Sequence, residues 1–135
     1  MEQYIDIEAA LAEWIAGASA PPLPADFAEN LPWVLFTRTG GAIDSRVLST
    51  HNVSVDVYAA TWAAAQQHAA EVASWITASE GFDLYYTQGE SQIEVPVYSA
   101  YCQAPYNNPD PKHPNVPRVT FLATLATRTR NQRQL

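Results

Sequence analysis

The sequence predicts a single α+β domain in which two helices pack on one face of a mostly antiparallel sheet of four to five strands. Apolar residues alternate in several segments, as in strands with one buried face, and recur every three to four residues in two others, as in amphipathic helices. With 135 residues, 47% of them apolar, the chain can bury one core but not two. We therefore predict one domain over residues 1–127, with loop arms at about 38–50 and 101–117 and a basic tail at 128–135.

The first predicted elements are a helix, a connection and a strand. Residues 6–16 carry one apolar stripe, and Gly17 would end that helix. Four prolines between residues 18 and 32 indicate an irregular surface connection. The apolar run at 33–37 predicts a strand, and the pair Gly40–Gly41 after it predicts a hairpin turn.

Residues 51–81 give the clearest pattern of the chain, a strand that runs into a helix. Val53, Val55 and Val57 alternate with polar residues and predict a strand with one buried face. From residue 61 onward the apolar residues instead follow steps of three and four. They are Trp62, Ala65, Ala69, Val72 and Ile76. We expect Trp62 to lie in the core with the three valines, and Gly81 to end the helix.

The second half of the chain predicts three further strands and a long loop. Strand composition recurs at 84–86 and 93–98, and Pro96 places the latter at an edge or in a bulge. Residues 101–117 hold five prolines, which indicates an irregular loop of a length that usually serves binding or assembly. Strict alternation over 118–127 predicts a last strand.

The charge distribution argues against general affinity for nucleic acid. The net charge is −7, whereas phosphate binding needs clustered lysine and arginine. Residues 1–100 carry a net charge of −11 and residues 101–135 carry +4. We expect Arg128, Arg130 and Arg133 of this basic end to contact acidic neighbours at a subunit or partner interface; an ordinary solvated tail is the alternative.

No motif for catalysis or for a bound cofactor is found in the sequence. Cys102 is the single cysteine, and the three histidines are isolated from one another. No glycine-rich phosphate loop and no spacing typical of a zinc site is present. We therefore predict no enzyme activity, no metal and no cofactor. No secretion signal or membrane-spanning run is evident either, so we expect folding in a cytoplasm.

An excess of tyrosine beside the proline-rich loop points to an interface instead. Tyrosine is enriched at protein–protein contacts. The sheet face opposite the helices is also partly apolar, and such a face is commonly buried against another protein surface. Leu122, Ala126, Tyr58 and Tyr98 are the candidates for that second face. The residues that we predict at a subunit or partner interface are Arg38, Arg46, Tyr98, Tyr101, Tyr106, Asp110, Arg118, Arg128, Arg130 and Arg133.

Several segments, taken in order, resemble the tail terminator proteins of long-tailed, non-contractile bacteriophages. They are the helix DIEAALAEWI at 6–15, the strand and glycines LPWVLFTRTGG at 31–41, the strand VSVDVYA before an alanine-rich helix, and the prolines at 105, 109 and 117 before a last alternating strand. None of these segments is chemically specific alone. Their order and spacing carry the resemblance, which fits least well over 82–104.

The resemblance implies a virion structural protein of a siphovirus, made in the host cytoplasm and located at the head–tail junction. It implies a homo-oligomer, a hexameric ring, without catalysis or cofactor. One face of the ring would meet the tail-tube protein, and the other would meet a head-completion or stopper protein. DNA would pass through the ring without sequence-specific binding. No contact with a membrane is expected. The alternatives are another head–tail connector component, a small non-viral binding module, and a small hydrolase or other enzyme, which would need a pocket that brings Cys102 or a carboxylate pair to a histidine.

Overall fold

The computed structural model describes residues 2–3, 5–43, 48–128 and 130–131. Within these residues lie two α-helices, α1 (Ile7–Trp14) and α2 (Trp62–Ala78), and one 3-10 turn, Phe27–Glu29. Nine strands lie in the same part of the chain. They are β1 (Glu2–Gln3), β2 (Ala18–Ser19), β3 (Trp33–Ile43), β4 (Leu48–Tyr58), β5 (Asp83–Gln88), β6 (Ser91–Cys102), β7 (Tyr106–Asn107), β8 (Arg118–Arg128) and β9 (Arg130–Asn131).

Seven of these strands form one mixed, curled sheet, a half-barrel. The strand order is β2-β3-β4-β8-β6-β5, with β7 beside β8, and β2 and β3 run parallel while the other pairs are antiparallel. β1 and β9 form a separate two-stranded sheet. The predicted four- to five-stranded, mostly antiparallel sheet covered by two helices is therefore wrong. β2 and β7 are two residues long, too short for any alternation to reveal them.

The core lies on the concave face of the half-barrel, between the sheet and both helices. Odd-numbered residues of β4 and β8 point into it, because side chains alternate along a strand. Val53, Val55 and Val57 are fully buried there, as predicted. Other fully buried side chains of the core are Phe36, Phe121, Ile7, Leu11, Ile76 and Leu125.

Helix α1 bridges the two sides of the curled sheet. Asp6 caps its first turn, accepting a hydrogen bond from the Ala9 N–H at 3.1 Å. Glu8 accepts from the Arg38 N–H of β3 at 2.6 Å, and Glu13 accepts from the Thr87 N–H of β5 at 3.0 Å. β5 is an edge strand, so Glu13 also satisfies a backbone donor that would otherwise face outward.

Helix α2 begins at the predicted place but does not bury its first residue. Thr61 caps the helix by accepting from the Ala64 N–H at 3.1 Å, and Ala65, Ala69, Val72 and Ile76 form the buried stripe. Trp62 is 39% exposed, so its predicted place in the core is wrong. The Cα–Cβ bonds of a helix tilt toward its N-terminus, so a side chain at the first position extends past the packed surface. No helix among the described residues is long and apolar enough to cross a membrane.

The pair Gly40–Gly41 does not form the predicted hairpin turn. Both glycines lie within β3, just past a bulge that separates Arg38 from Gly40. β3 and β4 continue as paired strands to Ile43 and from Leu48, so most of the expected arm at 38–50 is sheet. Gly41 has a φ of +138°, and a Cβ there would lie 2.0 Å from the Thr50 carbonyl oxygen. This glycine therefore permits close approach of two strands rather than a turn.

Candidate interaction surfaces

A polar cluster around Asp110 holds the proline-rich segment against the sheet. Asp110 is 8% exposed, and its Oδ2 accepts hydrogen bonds from the Tyr58 hydroxyl at 2.9 Å and from His113 Nδ1 at 3.0 Å. Its Oδ1 accepts from the Lys112 N–H at 3.0 Å, and the Arg118 guanidinium lies 3.8 Å from Oδ2. Burial alone would raise the pKa of Asp110, but these hydrogen bonds and the Arg118 charge outweigh it and lower the pKa to about 2.

Aromatic packing and a further hydrogen bond also hold the cluster around Asp110 in place. The Phe27 ring meets Tyr58 and His113 edge to face, with centroids 4.8 and 4.9 Å apart. Arg118 Nε donates to the Asn108 carbonyl at 2.7 Å. Although its backbone is largely irregular, the segment after β6 is thus anchored to the sheet of the same chain. The predicted interface residues Asp110 and Arg118 direct their charges inward here.

A second buried polar group lies near the far end of β4, where Arg38, His51 and Thr127 meet. Arg38 Nε donates to His51 Nδ1 at 3.1 Å, and an arginine can only donate. The proton of the neutral ring is therefore on Nε2, which donates to the Thr127 hydroxyl at 2.9 Å. His51 is 3% exposed, and burial together with the nearby Arg38 charge lowers its pKa to about 4.

We expect the stability of the protein to fall between pH 6.5 and pH 4 because of His51. In that window the unfolded histidine takes up a proton that the folded one excludes, so the free energy of unfolding decreases as the pH falls, by about 3 kcal/mol in total. Urea unfolding at four pH values measures this slope. The variant His51→Gln keeps a donor and an acceptor without titrating, so its slope should be smaller. Equal slopes for the two proteins would contradict the assignment.

Four exposed tyrosines lie in a row on the helix-free face of the sheet, and we call them the tyrosine row. Tyr85 on β5, Tyr98 and Tyr101 on β6 and Tyr106 on β7 are 45%, 69%, 64% and 55% exposed. The residues that precede Tyr85, Tyr98 and Tyr101, namely Leu84, Val97 and Ala100, point into the core, as does Val119 of β8, which pairs with Asn107. Tyr98 is the extra residue of a bulge between Val97 and Ser99, which turns its ring outward.

An apolar groove of about 570 Å³ lies beside Tyr98 of the tyrosine row, and we call it the aromatic groove. Phe82, Tyr98, Pro96 and Leu48 line it, and Arg128 and Asp83 lie among them. Phe82 is 68% exposed, although a ring of that size is usually buried. Large exposed aromatic side chains next to an arginine have the composition of binding hot spots.

An exposed acidic segment lies at the opposite end of the long strands. Asp26 directly precedes the 3-10 turn and Glu29 ends it, and both are exposed; Phe27 of the turn packs on Tyr58, the last residue of β4. The aromatic groove includes Leu48, the first residue of β4. Ten residue steps at ~3.3 Å each separate these two ends by roughly 33 Å.

The ten predicted interface residues fall into three groups. Tyr98, Tyr101, Tyr106 and Arg128 are exposed, and the tyrosines share one face. Arg38, Asp110 and Arg118 make hydrogen bonds within the subunit. Arg46 and Arg133 lie outside the described residues, as does the side chain of Arg130, whose backbone belongs to β9.

Two features of these surfaces were missed by the sequence reasoning. Phe82 follows Gly81, which lies three residues after the end of α2, and its position directly after the predicted helix stop is the only sequence signal for it. On the helix side, Trp14 and Trp75 are 42% and 43% exposed and line a notch of about 310 Å³. Trp14 fits the apolar stripe of residues 6–16, so its burial was expected, whereas Trp75 lies outside the apolar stripe of the second helix.

The described residues contain no group of three or more histidine, cysteine, aspartate or glutamate side chains placed to hold a metal ion. Cys102 is half-buried, with its Sγ 3.7 Å from the Ala73 carbonyl oxygen, and burial raises the pKa of its thiol. A raised pKa lowers the thiolate fraction on which cysteine reactivity depends.

Comparison with known proteins finds a similar fold but no matching family. No family model matches the chain, and no curated protein sequence matches it. Among solved structures, the chain is similar to one from the virion of a native gene transfer agent particle. The TM-score is 0.54 at 17% sequence identity, and the match covers 92% of this chain and 86% of that chain. The half-barrel is therefore shared with a protein chain of that virion over nearly its whole length.

Proposed function

We propose that this chain is a structural protein of a phage-like virion, and in particular a tail terminator. The observation that carries the proposal is the similarity of fold, over 92% of the chain, to a chain from a gene transfer agent virion. Virion subunits act by contact with copies and partners, and the exposed tyrosine row and aromatic groove offer surfaces of that composition. The order of segments that resembles tail terminators supports the finer assignment.

In this proposal six copies form a ring that closes the end of the tail tube and offers its other face to a head-completion or stopper protein. Six copies of a chain with a formal charge of −7 carry 42 net negative charges. Acidic side chains that line the lumen would repel DNA and let it pass without sticking. The protein would then be located at the head–tail junction of the particle.

Deletion of the coding sequence from the genome that carries it tests the assignment by electron microscopy. A tube end that is not capped continues to add subunits, so overlength tails without heads are expected. Addition of the purified chain should restore tails of uniform length. Tails of normal length beside unattached heads would instead indicate a head-completion protein, and unchanged particles would contradict both virion roles.

A further inference from the structure

We infer that the notch on the helix side binds an arginine side chain of a protein other than a copy of this chain. Trp14, Ile15, Ala16 and Trp75 line this notch of about 310 Å³, and we call it the tryptophan notch. It shares no lining residue with the aromatic groove and none with the tyrosine row. Its binding can be measured on the isolated chain, so it stands or falls separately from the proposed function.

The first observation is the pair of tryptophan rings. Trp14 and Trp75 are both more than two-fifths exposed. The His68 ring lies edge to face against Trp75, with centroids 6.0 Å apart, and so supports that ring from the same helix. Tryptophan is the aromatic side chain whose face attracts cations most strongly, and it is enriched among residues that dominate binding energy. Two such rings beside one notch favour a cationic occupant.

The end of helix α1 adds negative partial charge to the notch. Trp14 is the last residue of α1 and Ile15 is its C-cap, so the notch lies at the C-terminal end of that helix. The last carbonyl groups of a helix have no partner within the helix, and the helix dipole makes this end negative. No basic residue lies in the last turn of α1 to offset that charge. A cation supplied by a partner would do so.

The formal charges around the two helices have the same sign. Glu71 lies one turn before Trp75 on α2, so both side chains share a face of the helix, and Glu71 is half-exposed. Residues 1–37 and 47–111, which include both helices, contain no lysine or arginine. An acidic surface attracts a basic one and disfavours a further copy of a chain whose net charge is −7. The occupant is therefore expected on a different, basic protein.

Arginine is the cationic side chain that suits this notch best. Its planar guanidinium stacks on aromatic rings, is more weakly hydrated than an ammonium group and carries five N–H donors that can reach backbone carbonyls. A volume of about 310 Å³ is small among ligand sites, which span roughly 300–1,000 Å³, and so suits one side chain. Arg38 and Arg118 of this chain already donate hydrogen bonds within it.

Titration of the isotope-labelled chain with N-acetyl-L-argininamide tests the inference through the NMR signals of the tryptophan indole N–H groups. The signals of Trp14 and Trp75 should shift and saturate at millimolar concentration, because a single side chain binds weakly. The signal of Trp62, outside the notch, should stay in place. N-acetyl-L-citrullinamide has nearly the same shape without the charge and should shift none of them. Equal shifts with both compounds, or none with the arginine compound, overturn the inference.

Single substitutions locate the site. Trp75→Leu keeps an apolar side chain without the ring and should weaken binding of the arginine compound by about fivefold or more. Glu71→Gln should weaken it by about two- to fivefold. Trp62→Leu, which replaces a similarly exposed tryptophan at the other end of α2, is the matched control and should bind like the native chain. Native affinity in Trp75→Leu would contradict the assignment of the notch.

Two further measurements separate a protein partner from other occupants. Free L-arginine, with its added carboxylate, should bind no more tightly than the blocked compound; tighter binding would indicate a free amino acid as the ligand and contradict a protein partner. Light scattering should give the same mass for Trp75→Leu as for the native chain. A loss of self-association in that variant would show that a second copy fills the notch and would also overturn the inference.

Discussion

Replacement of Asp110 by alanine is expected to lower the free energy of unfolding by about 4 kcal/mol. The carboxylate accepts hydrogen bonds from the Tyr58 hydroxyl, from His113 and from the Lys112 N–H, and lies 3.8 Å from the Arg118 guanidinium. Without it, the buried tyrosine hydroxyl loses its acceptor, and each such loss in a buried site costs about 1–3 kcal/mol. The loop would also lose its anchor on the sheet.

Urea unfolding at pH 7 measures this loss, with two further variants for comparison. Tyr58→Phe removes one of the hydrogen bonds and should cost about 1–2 kcal/mol. Glu90→Gln removes an exposed acid and should change stability by less than about 0.5 kcal/mol. A loss of less than about 1 kcal/mol for Asp110→Ala would show that the segment after β6 does not depend on this carboxylate.

The pH dependence gives an independent check on the same group. The folded pKa of Asp110 lies at about 2, below the ordinary value of 3.8. A carboxyl whose pKa is lowered by folding stabilises the protein above its unfolded pKa and loses that contribution as the pH falls toward its folded pKa. Native protein should therefore lose stability between pH 4 and pH 2 more steeply than Asp110→Ala. This window lies below that of His51, so the two effects are separable.

Sequence periodicity predicted the parts of this fold that have one buried face. Val53, Val55 and Val57 of β4 and the alternation in β8 lie in the core as expected, because a pleated strand against a core must alternate. Both helices also lie close to their predicted positions. β2 and β7 escaped prediction, since a two-residue strand is held by backbone pairing alone and has no period.

The exposure of the residues predicted at an interface could be foreseen only in part, for a physical reason. Tyr98, Tyr101 and Tyr106 were selected by residue type, and the sheet places them on one face with Tyr85. Asp110 and Arg118 were selected by the same criterion, yet folding brings Tyr58, 52 residues earlier in the chain, onto Asp110. A charge that is satisfied within its own subunit looks the same in a sequence as one that is free for a partner, because only tertiary contacts distinguish them.

The two adjacent glycines of β3 should differ sharply when each is replaced by alanine. At Gly41 a Cβ would lie 2.0 Å from the Thr50 carbonyl oxygen and 2.9 Å from its carbon, both backbone atoms of the paired strand. The residue also has a φ of +138°, where an L side chain is strained. We expect Gly41→Ala to lower the free energy of unfolding by about 4 kcal/mol, the sum of backbone strain and overpacking.

Gly40→Ala is the matched control, because a Cβ at that position meets nothing within 4 Å. It should leave the stability within about 0.5 kcal/mol of the native protein, since a site with room for the added Cβ and no special backbone geometry tolerates substitution. Urea unfolding compares the two variants, and hydrogen exchange of the amides at 49–53 reports whether β3 and β4 have separated near Gly41. If both variants unfold alike, the pair acts as a flexible connection, and the close approach of β3 to Thr50 is not what requires glycine at position 41.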